Sequence, residues 1–443
     1  MLIELRFENH RSARDEQVLT LEAGRVGTVN DGRVREADNL RLLPVAAIYG
    51  ANASGKSNVL SAIGFMRDAV LDSHSSWPPL GGVPREAFAW AGKANEPSTF
   101  EVTVLIGGIR YQYGFSVDQE RVLEEWLFAW PRGRKQTWFE RARAEFAFGE
   151  HLRGENRVLE KVTRPNALFL STAARHQHEQ LTPVFDWFNK LLTVRVVGYK
   201  ERYSDAMPAS VAAAVFAAAA AAAAARGPSG MIRVSDLVPT RQSTEFSEAL
   251  PRIDPPESTN LRDLLRAADV GIADFRVSNP RGNKSGADQR RIELRHDVGE
   301  DDAWLPLEQE SAGTRALFRL GPAVIRALAS GTPLVVDELE SSLHPLIALE
   351  VVRLFNDPDA NPHDAQLLFT THDTNLLGTI LGAQPLRRDQ IWLTEKDPKG
   401  GTNLYPLTDF KPRKLENLER GYLQGRYGAI PILGALARLA GEE

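Results

Sequence analysis

The residues with chemical potential fall in two clusters. The first is Gly50-Ala51-Asn52-Ala53-Ser54-Gly55-Lys56-Ser57 with Asn58 behind it, which fits the pattern G-x-x-x-x-G-K-[ST]. In such a loop the glycines let the backbone curl until its N–H groups converge on phosphate oxygens, and Lys56 supplies a mobile positive charge. Ser57 offers a hydroxyl to Mg²⁺, and a helix starting there adds its positive end. The second cluster is Pro333-Leu-Val-Val336-Asp337-Glu338, an apolar run that ends in two acids. Carboxylates at the tip of a buried strand are costly unless they serve a cation or a water. Asp337 then suits Mg²⁺, directly or through water. Glu338 is placed to orient or deprotonate an attacking water. Each pattern alone has a plain structural reading, a Gly/Ser-rich turn and a strand ending in an acidic turn. In one chain they point to a nucleoside triphosphate with Mg²⁺.

The elements around these clusters have the required character. Val45–Tyr49 is a short apolar run ending in Gly50, as expected of a buried parallel strand. From Ser57 the positions Val59, Ile63, Met66 and Val70 recur at helical spacing. Upstream, Leu2–Phe7 and Gln17–Leu21 read as strands separated by a turn at Asn9–Ser12. Phe100–Ile106, Arg110–Val117 and Val122–Trp130 alternate and are broken by Gly107-Gly108 and Asp118-Gln119, which predicts an antiparallel meander. Leu168–Leu192 reads as helical, Leu261–Ala268 as a short helix, and Phe275–Val277 with Arg291–Arg295 as a hairpin. A helix through Leu317, Leu320, Val324 and Leu328 then precedes strands at Leu334–Val336 and Leu367–Thr370, the alternation of a mostly parallel sheet.

Composition narrows the classes. The chain has 443 residues, 43% hydrophobic and 25% charged, with net charge −5. That leaves room for a sizeable core and argues against a wholly basic nucleic-acid coat. With no cysteine, disulfide scaffolds, zinc ribbons, iron–sulfur clusters and thiol nucleophiles are excluded. The opening MLIELRFENHRS interleaves acids and bases, so no secretory signal is expected and the cytoplasm is the expected location. The uncharged stretch Met207–Ala225 is mostly alanine, lacks the Leu, Ile and Phe of a membrane span, and implies no function. No membrane partner is expected.

Three further motifs complete an ordered set: Glu310-Ser311-Ala-Gly313-Thr314 before a helix, Ser341-Ser-Leu-His344-Pro345 after the acids, and Phe369-Thr-Thr371-His372-Asp373 at the end of the next strand. With ENHRS at the start, the GANASGKSN loop and NLERGYLQGRYGAIP near the end, the chain resembles an ABC-type ATPase of the SMC/RecF/OLD branch. More narrowly, it resembles the AAA-type ATP-binding proteins of bacterial abortive-infection and phage-defence systems, such as RloA-like proteins and the ATPase subunits of PARIS-like systems. The fold implied is α/β: an ABC-type P-loop core with an antiparallel β subdomain and a compact, largely helical insert. The implied cofactors are ATP and Mg²⁺. Ser311 and Gly313 match the signature that contacts the γ-phosphate held by a second protomer, so a homodimer at least is implied, with higher assembly left open. His372 matches the switch histidine. Arg11 and Ser12 match an Arg/Ser pair near the nucleotide, with an ordinary turn residue as the alternative for Arg11. His344 either touches nucleotide or caps the helix that follows. The resemblance also implies a separate effector, often a TOPRIM-like nuclease; a self-contained nuclease is not expected, because too little chain follows His372 to hold that domain. A RecF-like repair ATPase that binds DNA directly is the alternative.

The chain departs from transporter ATPases in carrying ESAG instead of LSGG, and Gln112, on a predicted strand, gives no clear Q-loop. The stretch from Ser57 to Ser311 is too long for a bare transporter ATPase and too short for coiled-coil arms, so a compact lobe is expected there. The expected division is an ATPase lobe at 1–165, an insert lobe at 166–300, completion of the core at 301–410 and a basic, aromatic segment at 411–443. Arg281, Lys284, Arg290, Arg291 and Arg295, and separately Lys411, Arg413, Lys414, Arg420 and Arg426 with Tyr422 and Tyr427, could meet a phosphate backbone, which makes DNA a candidate partner. A solvated face or a packing tail is the plainer reading of both.

Overall fold

The computed structural model describes residues 1–25, 31–195, 261–266, 271–278, 291–299, 303–380, 382–413 and 416–431. The Ala217–Ala225 run, Arg281, Lys284, Arg290 and Lys414 lie outside them. Two units are formed, one from Met1–Val197 with Ala323–Glu443, the other from Gly198–Pro322.

In the first unit the strands are β1 (Leu2–Glu8), β2 (Gln17–Thr20), β3 (Arg35–Ala37), β4 (Leu40–Leu42), β5 (Val45–Gly50), β6 (Ser98–Ile106), β7 (Ile109–Val117), β8 (Val122–Trp130), β9 (Gln136–Ala142), β10 (Glu145–Phe148) and β11 (Leu192–Arg195). The second unit contributes β12 (Ile272–Ser278), β13 (Arg291–His296) and β14 (Trp304–Pro306). The first unit resumes with β15 (Pro333–Asp337), β16 (Gln366–Thr370), β17 (Ile391–Lys396) and β18 (Thr402–Pro406). A seven-stranded antiparallel sheet runs β10-β9-β8-β7-β6-β1-β2, and a six-stranded sheet runs β11-β15-β16-β5-β17-β18. The latter is parallel except for β18. The acidic strand β15 is therefore separated from the loop-bearing strand β5 by β16, which carries the third motif.

The two sheets share one core. Helix Lys56–Asp72 buries Val59, Ile63, Met66 and Val70, the residues whose spacing predicts it. Phe65 of that helix meets Phe100 at 4.8 Å between ring centroids, and Phe100 meets Phe115 at 5.5 Å. Burial on β6 alternates over Ser98–Thr103, as a half-covered strand requires. Gln366 at the start of β16 ties the sheets directly: its Nε2 donates to Leu2 O at 2.9 Å and Leu43 O at 3.1 Å, and its Oε1 accepts from Leu2 N.

The predicted helix Leu168–Leu192 is corrected. It is two helices, Phe169–Arg175 and Thr182–Lys190, followed by strand β11. Gln177 takes a left-handed backbone (φ 58°), and Pro183 falls in the first turn of the second helix, where its missing N–H costs nothing. Gln112 lies within β7, opposite Thr103 and Phe128, an ordinary strand position.

In the second unit the described residues hold a short helix at 261–266, the predicted hairpin as β12–β13 with β14 added, and the start of helix Ala312–Ser330. Phe275 packs edge-on against Phe318. Arg276 pairs with Glu293 and covers Trp304, so this cation of the hairpin is occupied within the unit. Among the described residues no helix is long and apolar enough to cross a membrane.

A buried ion pair pins helix Phe169–Arg175 to the antiparallel sheet. Glu125 on β8 accepts Phe169 N–H at 2.6 Å, Leu170 N–H at 3.0 Å and the Tyr113 hydroxyl at 3.0 Å. Arg141 on β9 lies 3.6 Å from Glu125 and donates to the carbonyls of Arg143, Arg164, Pro165 and Ala167. Burial pushes the Glu125 carboxyl above its usual range, against the pull of Arg141. Removing Arg141 would leave that carboxylate uncompensated and the four carbonyls without this donor. Arg141→Ala is therefore expected to lose about 3–5 kcal/mol of unfolding free energy in urea titration.

Candidate functional site

The phosphate loop is built as its sequence requires. Gly50, Ala53 and Gly55 have positive φ, and at Gly55 (φ 109°) a Cβ would lie 2.8 Å from Thr402 Cγ2 and 2.9 Å from Ser12 Oγ. A side chain there would be both strained and obstructed. Two threonines that the motif search did not find hold the loop from β17 and β18. Thr394 Oγ1 lies 2.7 Å from Ser54 Oγ and donates to Tyr49 O, and Thr402 Oγ1 donates to Ser54 O at 2.8 Å. Asn58 Nδ2 donates to Ser12 Oγ at 2.5 Å, and Thr402 N–H donates to Ser12 O.

Ser12 thus meets the loop and its helix, whereas the Arg11 guanidinium pairs with Glu86 at 2.5 Å. Of the rest of ENHRS, Asn9 Nδ2 donates to the carbonyls of Lys93, Glu96 and Pro97. His10 is buried with its Nε2 2.8 Å from Ser61 Oγ, and burial lowers its pKa to about 3. His10 fastens the turn to the helix behind the loop, and Asn9 fastens it to the segment Lys93–Pro97.

Lys56 is buried, and its Nζ donates to Gly50 O at 3.0 Å and Ala51 O at 3.1 Å. Burial lowers its pKa to about 8, partly offset by the negative charges of Glu338, Glu340 and Asp337. Ser57 Oγ donates to Asp337 Oδ1 at 2.9 Å, joining residues 280 positions apart. The same oxygen accepts the hydroxyl of the buried Thr370 at 2.6 Å. Thr370 Oγ1 in turn accepts Glu338 N–H at 2.7 Å. Glu338 has φ 54°, a left-handed backbone that a non-glycine residue adopts at a cost, and Thr370 holds it there. The Glu338 side chain is exposed at the strand tip. Thr370 is a functional position that motif reading overlooked, although its place at the end of the strand between β5 and β15 is a usable signal.

Glu340, also overlooked, accepts His372 N–H through Oε1 at 2.5 Å, while its buried Oε2 lacks a hydrogen-bond partner. His372 follows β16, and partial burial and the charge of Lys56 lower its pKa. His344 accepts Leu346 N–H through Nδ1 at 3.2 Å and caps helix Pro345–Asn356. In the second unit Ser311 is exposed and caps helix Ala312–Ser330 by accepting Thr314 N–H at 3.1 Å; Gly313 lies in the first turn. Near the C-terminus Tyr422 and Tyr427 are buried, with Tyr422 edge-on to Tyr49 and Tyr427 donating to Glu416 at 2.7 Å. They are core residues and offer no stacking platform; Arg426 is paired with Glu416.

The family model described as "AAA domain, putative AbiEii toxin, Type IV TA system" matches residues 45–378, three quarters of the chain. The chain belongs to that family. No curated protein matches it. Similar solved structures include the SMC head domain from Thermotoga maritima, at 12% identity and TM-score 0.38, covering 91% of this chain and 98% of that one. Another is an Smc head with an extended coiled coil bound to the C-terminal domain of ScpA, from Pyrococcus furiosus, at 12% identity and TM-score 0.38, covering 96% and 98%. A likeness this distant carries no residue roles across.

The donor set of this AAA domain suits Mg²⁺. No group of three or more acidic or histidine ligands occurs among the described residues. Mg²⁺ instead takes one or two protein oxygens and completes its shell with water and phosphate, and Ser57 and Asp337 supply such a pair. Thr370 orients Asp337 from behind. Loss of that kind of support typically costs about 10–100-fold in metal affinity or activity. Thr370→Val should therefore raise the Mg²⁺ concentration needed for nucleotide hydrolysis by that order, measured by metal titration at saturating ATP.

Proposed function

We propose that this protein is a Mg²⁺-dependent ATPase of the ABC type that closes as a homodimer around ATP and regulates a separate effector, a TOPRIM-like nuclease, in anti-phage defence. The observation that carries the reading is the chain Ser57–Asp337–Thr370–Glu338, hydrogen-bonded across three segments and set beside a buried lysine. Gly50 to Asn58 would hold the phosphates, with Lys56 opposing their charge. Ser57 and Asp337 would hold Mg²⁺, whose chemistry is to neutralise charge on the phosphates. Glu338, exposed at the strand tip, would act on water, and His372 beside it would sense the terminal phosphate. Arg11, next to Ser12, would lie along the nucleotide.

Ser311 and Gly313 support the dimer reading. Ser311 lies exposed at the N-terminal end of a 19-residue helix and Gly313 in its first turn, and the positive end of such a helix suits a phosphate presented by a second protomer. The defence assignment rests on the sequence resemblance and on the family description, which names a toxin of a toxin–antitoxin system.

Glu338→Gln tests the chemistry. Replacing the carboxylate by an amide removes the proton acceptor and keeps the size, so hydrolysis should fall by about 10²–10⁴-fold. ATP binding in calorimetry should persist. Ser311→Arg should bind ATP and fail to turn it over. Normal turnover by Glu338→Gln would contradict the water-activating role, and normal turnover by Ser311→Arg would contradict the composite site.

A further inference from the structure

The strand order fixes which way a nucleotide must run. β16 and β15 lie on one side of β5, and β17 and β18 on the other. Asp337 ends β15, with Glu338 after it, and His372 follows β16, so the terminal phosphate these groups serve points to that side. Ribose and base must then extend toward β17–β18, beyond the carboxyl ends of the parallel strands.

Three segments converge there. The turn Asp397–Gly401 joins β17 to β18 immediately before Thr402, the residue that grips the loop carbonyl of Ser54. The Asn9–Ser12 turn binds Thr402 through Ser12. The stretch Glu86–Trp90 is attached to that turn, because Glu86 O accepts Arg11 N–H at 2.7 Å and Phe88 N–H donates to Asn9 Oδ1 at 2.9 Å. Trp90 closes the group. Its indole covers Gly400, where a Cβ would come within 3.1 Å of Cζ3, and Phe88 meets it edge-on at 5.2 Å. The turn beneath is stiff: Asp397 accepts Lys399 N–H at 2.8 Å and Gly401 N–H at 2.7 Å, and pairs with Arg14 at 2.8 Å. Yet Trp90 remains 59% exposed. A large aromatic ring braced on two sides with its remaining surface in water is a preformed partner for another flat ring.

We propose that Trp90 is the stacking platform for the base of the bound nucleoside triphosphate. The proposal rests on reading Gly50–Ser57 as the phosphate loop. Stacking reads no hydrogen-bond pattern, so ATP and GTP both use the indole.

The test is calorimetric titration of the full-length protein with Mg²⁺ and either ATP, GTP or inorganic tripolyphosphate, for wild type, Trp90→Ala and Trp90→Phe. Trp90→Ala should weaken ATP and GTP by roughly tenfold or more, in line with base–aromatic stacking elsewhere, and leave tripolyphosphate unchanged. Trp90→Phe should restore most of the loss. Unchanged ATP affinity in Trp90→Ala, with tripolyphosphate still binding, overturns the role of Trp90 and spares the phosphate loop. Equal loss for all three ligands marks a merely structural role and also overturns it. Failure of wild type to bind any of them overturns the phosphate-loop reading and the proposal with it.

Discussion

Everything at the site depends on holding the cation of Lys56 out of water. Its ammonium is buried at the foot of the loop, hydrogen-bonded to two carbonyls that replace only part of its hydration. The sign of the pKa shift states the cost. With its pKa lowered by burial to about 8 from the ordinary lysine value of 10.5, folded Lys56 binds fewer protons than the unfolded chain between those pH values. Its burial therefore opposes folding fully below about pH 8, and the opposition fades as pH rises toward the unfolded value. Phosphate oxygens would remove the penalty directly, because they supply the negative charge that Asp337, Glu338 and Glu340 only partly provide.

The remaining structure keeps that charge distribution in place. β16 between β5 and β15 lets one hydroxyl, Thr370, set both the Asp337 carboxylate and the Glu338 backbone. β17 and β18 brace the loop from the opposite side through Thr394 and Thr402. The antiparallel sheet contributes by carrying the Asn9–Ser12 turn to the helix behind the loop, and Gln366 fastens that sheet to the parallel one. Distant packing thus reaches the site through a few short polar contacts, so the site's geometry is set by elements from both ends of the first unit's sequence.

Sequence alone made the central strands and the motif residues legible because both are locally encoded. An apolar run ending in glycine, a helix with four core positions and three alternating strands need no tertiary information. What escaped was encoded by partners far away. β17 is apolar at its start and polar at its end, and it becomes a strand by pairing with β5 on one side and β18 on the other. Thr370, Thr394 and Thr402 are unremarkable residues until the fold sets them against the loop and the acids. Conversely, Tyr422 and Tyr427, grouped by sequence with a basic patch that could meet phosphate, are buried, because distant Tyr49 packs on the first and Glu416 accepts the hydroxyl of the second. The over-long helix at Leu168–Leu192 has apolar residues at both ends, and the polar stretch Arg175–Gln180 with the left-handed Gln177 and Pro183 is where the chain breaks into two helices.

The account is tested most directly by counting protons on ATP binding. Calorimetry at pH 8.5, in buffers of different ionisation enthalpy, reads proton uptake as the dependence of the binding heat on the buffer. If phosphate relieves the buried cation, the wild-type protein should take up most of one proton per ATP, because Lys56 with a pKa of about 8 is largely neutral there until the nucleotide arrives. Lys56→Arg, whose guanidinium is charged throughout this range, should take up none. Binding of ATP by the wild type with no buffer dependence, or the same uptake in both proteins, would contradict the claim that phosphate relieves the cost of the buried Lys56 cation.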